Sequence, residues 1–226
     1  MSLRGADGKR KRVAVFISGG GSNMLSLARA CQVQDWPAEI ACVISDKASA
    51  GGLAKAEALA IPTQVFERKD YASKEEHEAA ILAALDDIAP DVICLAGYMR
   101  LLSGDFIRRH EGRILNIHPS LLPLFPGLHT HQRAIDAGMR IAGCTVHFVT
   151  EGMDEGPIIA QAAVPVLVGD TAETLAARLL TVEHQLYPLA LKLVAEGKVQ
   201  MEDGRAVTKP GTNVELAEQR LISGGL

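Results

Sequence analysis

Short apolar runs alternate along this chain with stretches whose apolar positions recur every three or four residues. Residues 13–17, 40–44, 63–66, 92–96 and 113–117 read as strands, because short apolar stretches suit a buried pleated surface. Between them, residues 24–31, an alanine-rich stretch near 52–60, residues 74–88 and residues 103–110 read as helices. Ile81, Leu82, Leu85 and Ile88 share one face of the third. Residues 92–96 are apolar throughout and belong in the middle of a sheet. The alternation predicts an α/β, Rossmann-like fold with a mostly parallel, helix-flanked sheet. Later the pattern changes. Residues 144–149 and 157–168 are strand-like with only a short loop between, which predicts an antiparallel C-terminal portion. Asp170 is then expected to cap a long C-terminal helix from Thr171 to about Glu196, interrupted at Pro188. This divides the chain into a basic N-terminal arm (1–12), one domain (13–202) and a polar C-terminal tail (203–226) expected to project.

Composition narrows the function classes. Of the 226 residues, 48% are hydrophobic but only 4% aromatic, so the core must be aliphatic, as parallel strands under helices prefer. A net charge of −4 leaves no basic surplus for general nucleic-acid binding. Cys31, Cys42, Cys94 and Cys144 lie far apart without a CxxC pair, so buried free thiols in a reducing cytoplasm are expected. No apolar run reaches the length of a membrane span. The basic run from Lys9 to Arg12 has no apolar segment behind it, so a solvated arm is expected there, not a signal peptide.

Two loops carry candidate chemistry. In Asn116-Ile-His118-Pro-Ser-Leu-Leu-Pro123, at a strand's end, alternation points Asn116 and His118 the same way. An amide donor beside a titratable ring suits a reaction in which charge develops on a carbonyl oxygen and a proton moves. Asp154 lies in a tight loop framed by Gly152, Gly156 and Pro157, and a carboxylate near His118 would favour the imidazolium and orient it. Each residue also has a plainer reading, His118 as a helix N-cap and Asp154 as a turn aspartate. The second loop, Ser18-Gly-Gly-Gly-Ser-Asn23, joins a strand to a helix. It is neither GxGxxG nor a P-loop, so a phosphomonoester is compatible and a dinucleotide or nucleoside triphosphate is disfavoured. A ligand-free turn is the plainer alternative.

Together with Phe125-Pro-Gly-Leu-His-Thr-His131 and Met153-Asp154-Glu-Gly-Pro157, these segments resemble the folate-dependent formyltransferases. Within that family the chain looks like the members whose acceptor is glycinamide ribonucleotide, and the resemblance runs from about residue 13 to about residue 202. It implies transfer of a formyl group from 10-formyltetrahydrofolate to that amine, in purine (IMP) synthesis, without a metal. It makes Asn116, His118 and Asp154 the catalytic residues. It assigns Gly21, Ser22, Asn23 and Glu183 to the ribonucleotide. Folate would be lined by Lys74, Met99, Arg100, Leu101 and Leu102, with Thr150, Glu151, Gly152 and Met153. Lys74 stands where arginine is expected, which keeps the charge but loses the bidentate fork. The implied partners are two small molecules, with no nucleic acid or membrane, and a monomer or homodimer. Two alternatives stay open. One is a 10-formyltetrahydrofolate hydrolase or a transferase acting on another amine. The other is a metal-dependent hydrolase using His118, His129, His131 and Asp154.

Overall fold

The computed structural model describes residues 9–212. Its centre is a seven-stranded sheet in the order β3-β2-β1-β4-β5-β6-β7. The strands are β1 (Lys11–Ile17), β2 (Ala38–Ser45), β3 (Thr63–Val65), β4 (Val92–Leu95), β5 (Ile114–His118), β6 (Ile141–Phe148) and β7 (Ile158–Pro165). The first five pair in parallel. β6 then runs antiparallel to β5, and β7 antiparallel to β6. The parallel sheet with an antiparallel end therefore matches the pattern of the sequence.

Alternation along β1 explains why the sheet is covered on both sides. Val13, Val15 and Ile17 belong to one core cluster, Ala14 and Phe16 to the other. The first is covered by α1 (Ser22–Cys31), α2 (Gly51–Glu57) and α6 (Ala172–Ala195), which contribute Met24, Leu27, Leu53, Leu175 and Leu179. The second is covered by α3 (Lys74–Ile88) and α4 (Gly104–Arg109), through Ile81, Leu85, Phe106 and Ile107. Ser73 caps α3 by accepting from the Glu76 amide, and Ser103 caps α4 through Phe106. The fully buried Tyr187 of α6 places its hydroxyl 3.1 Å from the carbonyls of Leu95 and Leu115, tying α6 to the ends of β4 and β5.

Several expectations need correction. Thr171, not Asp170, is the N-cap of α6; it forms a capping box with Thr174. Asp170 instead takes a bidentate pair from Arg178 at 2.7 Å, which holds its carboxyl well below the usual range. α6 also runs through Pro188 unbroken, since Leu186, Tyr187, Ala190 and Leu191 anchor both sides of the missing N–H in the core. Lys11 and Arg12 are not a solvated arm: they open β1. Arg12 donates to the Ile88 carbonyl at 2.9 Å and Arg10 to that of Ala38 at 3.0 Å. The tail boundary after Glu202 cuts a hairpin of β8 (Val199–Glu202) and β9 (Arg205–Thr208), whose Met201 and Ala206 pack on the core. A further helix, α5 (Thr130–Asp136), forms where the sequence pattern shows none. All four cysteines are buried and free. No described helix is long and apolar enough to cross a membrane. The end of the chain, residues 222–226, lies outside the described residues.

Candidate active site

The site lies at the C-terminal ends of β1, β4 and β5, where a parallel sheet opens its loops to ligands. β5 delivers Asn116 and His118 to one face, as alternation requires. The loop after β6 brings Asp154 back onto them. That return is tight: a Cβ on Gly156 would stand 1.7 Å from the Phe148 carbonyl oxygen, so only glycine fits there. Asp154 itself has φ 57°, a conformation that aspartate tolerates better than most residues.

Of the three residues expected to be catalytic, His118 and Asp154 meet directly, and Asn116 reaches Asp154 through His147, whose Nε2 lies 3.8 Å from Asp154 Oδ1. Asp154 Oδ2 lies 3.3 Å from His118 Nδ1, with the side chains 14% and 7% exposed. The same oxygen accepts the Gly127 amide at 2.9 Å, which fixes the carboxylate between two loops. His118 Nε2 lies 3.0 Å from the Phe125 carbonyl oxygen and donates to it. That donor is therefore engaged within the loop, and must be released before it can serve a substrate oxygen.

A fourth residue, His147, does not stand out in the sequence. It faces Asn116 across the β5–β6 pair, and its Nε2 lies 3.2 Å from Asn116 Nδ2. Its Nδ1 lies 2.9 Å from the Phe148 carbonyl oxygen, which can only accept. The ring proton therefore sits on Nδ1, and Nε2 accepts from the Asn116 amide. Burial lowers the His147 pKa, outweighing the Phe148 bond and the charge of Asp154, so the ring stays neutral. The Asn116 amide is thus oriented, with its second N–H left for a ligand. Thr145, also on β6, accepts from the Leu122 amide at 3.1 Å and donates to the Ser120 carbonyl at 2.7 Å, holding the loop after His118.

The residues expected to bind the ribonucleotide also converge. Gly21 is the N-cap of α1 in the left-handed conformation, φ 67°. A Cβ there would stand 2.7 Å from Gly52 Cα, so the loop packs flush against α2. No side chain caps α1 and its first turn carries no acid, so the amides from Ser22 onward keep a positive potential. Asn23 Nδ2 donates to Glu183 Oε2 at 2.7 Å, joining the glycine loop to α6. Burial raises the Glu183 pKa, against the opposing Asn23 bond and the charge of His118.

Of the residues expected to line folate, Lys74, Met99, Arg100, Leu101 and Leu102 line one cavity of about 320 Å³. Thr150, Glu151, Gly152 and Met153 do not line it. Glu151 pairs instead with Arg108 of α4, and Met153 projects over Gly127 beside Asp154. Met99, Leu101 and Met153 are 66%, 67% and 52% exposed, apolar surface left open around the site. Among the described residues, no three histidine, cysteine, aspartate or glutamate side chains gather as metal ligands. His129 and His131 sit at the start of α5.

Comparison with known proteins places this geometry. A family model described as formyl transferase matches residues 11–191. A phosphoribosylglycinamide formyltransferase of Haemophilus influenzae is 47% identical over 207 residues, covering 89% of this chain and 98% of that protein. The trifunctional purine biosynthetic protein adenosine-3 of Gallus gallus is 50% identical over 190 residues, but this chain spans only 19% of its length. The crystal structure of phosphoribosylglycinamide formyltransferase from Brucella melitensis has 76% identity and a TM-score of 0.81, covering 83% of this chain and 96% of that one. A formyltetrahydrofolate deformylase from Pseudomonas syringae is more distant, with 29% identity and a TM-score of 0.82. The chain therefore belongs to the formyl transferase family.

Proposed function

We infer that this protein transfers the formyl group of 10-formyltetrahydrofolate to the primary amine of glycinamide ribonucleotide. The products are formylglycinamide ribonucleotide and tetrahydrofolate, a step of purine synthesis. The observation that carries this reading is a junction. The Asn116–His147 and His118–Asp154 pairs lie at the C-terminal end of β5, and the glycine loop, joined to α6 by the Asn23–Glu183 bond, follows β1 in the same parallel sheet. A ribonucleotide whose phosphate meets the α1 amides and whose ribose hydroxyls reach Glu183 would present its amine to the catalytic cluster.

In this mechanism the neutral amine attacks the formyl carbon and the carbonyl oxygen becomes an oxyanion. The free N–H of Asn116 donates to that oxygen, an interaction typically worth about 3–4 kcal/mol. His118, once released by Phe125, supplies the second donor, and Asp154 at 3.3 Å stabilises positive charge on its ring. Collapse of the tetrahedral intermediate breaks the bond to N10, and the proton lost by the amine ends on N10. The exposed apolar surface of Met99, Leu101 and Met153 would cover the flat rings of the cosubstrate.

The test is a deformylation assay with 10-formyl-5,8-dideazafolate, run with and without glycinamide ribonucleotide. The transferase reading expects deformylation that depends on the ribonucleotide and yields its formyl derivative. Deformylation at the same rate without it would identify a hydrolase, with water replacing the amine.

A further inference from the structure

The cavity beside Met99 and Leu101 holds three cationic side chains, and they are not equivalent. Arg100 Nε donates to Asp46 Oδ2 at 2.8 Å. The Asp46 side chain is 1% exposed, so it cannot follow Arg100 outward, and drawing Arg100 away would leave a buried carboxylate unpaired. Lys74 Nζ lies 3.7 Å from Glu78 Oε1, and that oxygen is held in place by the Ser103 amide at 2.9 Å. An anion approaching Lys74 would therefore also approach Glu78. Arg68 differs. Its Nη1 donates to the Tyr71 carbonyl at 2.7 Å, which steadies the guanidinium without neutralising it. No carboxylate among the described residues forms an ion pair with Arg68 within 4.0 Å. Glu75, at the start of α3, feels its charge but is exposed to solvent.

The cavity thus combines an exposed apolar wall with one unanswered guanidinium. That pairing fits a stem with an aromatic body and a carboxylate end. The cosubstrate inferred above has such a stem, an aminobenzoyl group carrying a glutamate. We propose that Arg68, rather than Lys74 or Arg100, binds the glutamate carboxylate of the formyl donor and sets the preference for an anionic tail. The assignment rests on the formyltransferase reading. Arginine suits the task because its planar fork meets a carboxylate through two parallel hydrogen bonds, a geometry that lysine lacks.

The experiment compares 10-formyl-5,8-dideazafolate with its neutral counterpart, in which both glutamate carboxyls are amides, at saturating ribonucleotide. The unmodified enzyme should favour the dicarboxylate by about tenfold or more in kcat/KM, as one charge-assisted bidentate pair allows. In Arg68→Gln this preference should vanish through a rise in KM for the dicarboxylate. Turnover of the diamide should persist, which shows that the variant is folded. Arg68→Lys should restore part of the preference. A preference that survives in Arg68→Gln, or one erased by Lys74→Gln instead, would overturn the assignment. An unmodified enzyme that transfers formyl from neither compound would overturn the functional reading and the assignment with it.

Discussion

Replacing Asp154 by Asn isolates charge from shape at the centre of this site. Asparagine tolerates the φ of 57° found here, and its carbonyl can still accept the Gly127 amide that Asp154 accepts at 2.9 Å. What disappears is a full negative charge 3.3 Å from His118 Nδ1. At an effective dielectric of about 20, unit charges at that separation interact by about 5 kcal/mol. The 14% exposure of the Asp154 side chain and the residual dipole of the amide reduce this. A loss of about 3 kcal/mol in transition-state stabilisation is expected, or roughly a hundredfold in kcat/KM. The assay is ribonucleotide-dependent deformylation at saturating folate, beside a thermal melt to show that the fold is kept. The fall should appear in kcat, because the charge on His118 matters most as the oxyanion forms. Activity within about fivefold of the unmodified enzyme would refute the argument that Asp154 acts electrostatically through His118.

His147→Phe fills the same space but leaves the Asn116 amide without its acceptor. A drop in kcat of roughly tenfold to a hundredfold is expected, because a half-buried N–H then loses its partner and the amide is free to turn. The same change in an Asn116→Ala background should cost far less, and full additivity would argue against positioning through Asn116. Glu183→Gln should separate stability from binding. Burial raises the Glu183 pKa, so its contribution to stability is full below the ordinary carboxylate range and is lost as pH rises through the raised value. The variant should therefore melt higher than the unmodified protein at neutral pH, by about 2–4 °C per kcal/mol recovered, with the difference closing in acid. Its KM for the ribonucleotide should rise; a melting difference independent of pH would contradict the assignment. Gly21→Ala places a Cβ 2.7 Å from Gly52 Cα at a φ of 67°, so it should lower the melting temperature and raise the ribonucleotide KM. Unchanged values of both would show that the glycine loop is not packed as described.

The parallel half of the fold was legible because its signals are redundant. In β4, four consecutive buried residues can hardly sit anywhere but mid-sheet, and α3 carries both a cap at Ser73 and an apolar stripe. α5 was not legible: it has seven residues, and only Thr130 and Ala134 are buried. β9 escaped because most of its positions are exposed, leaving no alternation to read. Thr171 and Asp170 are both good capping residues in adjacent positions, and the choice was made by Arg178, eight residues beyond Asp170. Asn116, His118 and Asp154 stood out as polar residues in loops or at a strand's end. His147 did not, because a single histidine inside an apolar strand looks like filler. Its role depends on the register that sets it opposite Asn116, which is a property of strand pairing and not of either strand alone. The same holds for Arg68, whose importance comes from what neutralises Lys74 and Arg100 around it.

The proposed mechanism rests on the oriented amide of Asn116 stabilising the oxyanion of formyl transfer. The most direct test is Asn116→Ala, measured by calorimetric titration with 10-formyl-5,8-dideazafolate and by single-turnover formyl transfer to glycinamide ribonucleotide. The expected result is folate binding close to that of the unmodified enzyme and a transfer rate lower by a factor on the order of a hundred to a thousand. Weakened folate binding with an unchanged transfer rate would contradict that role.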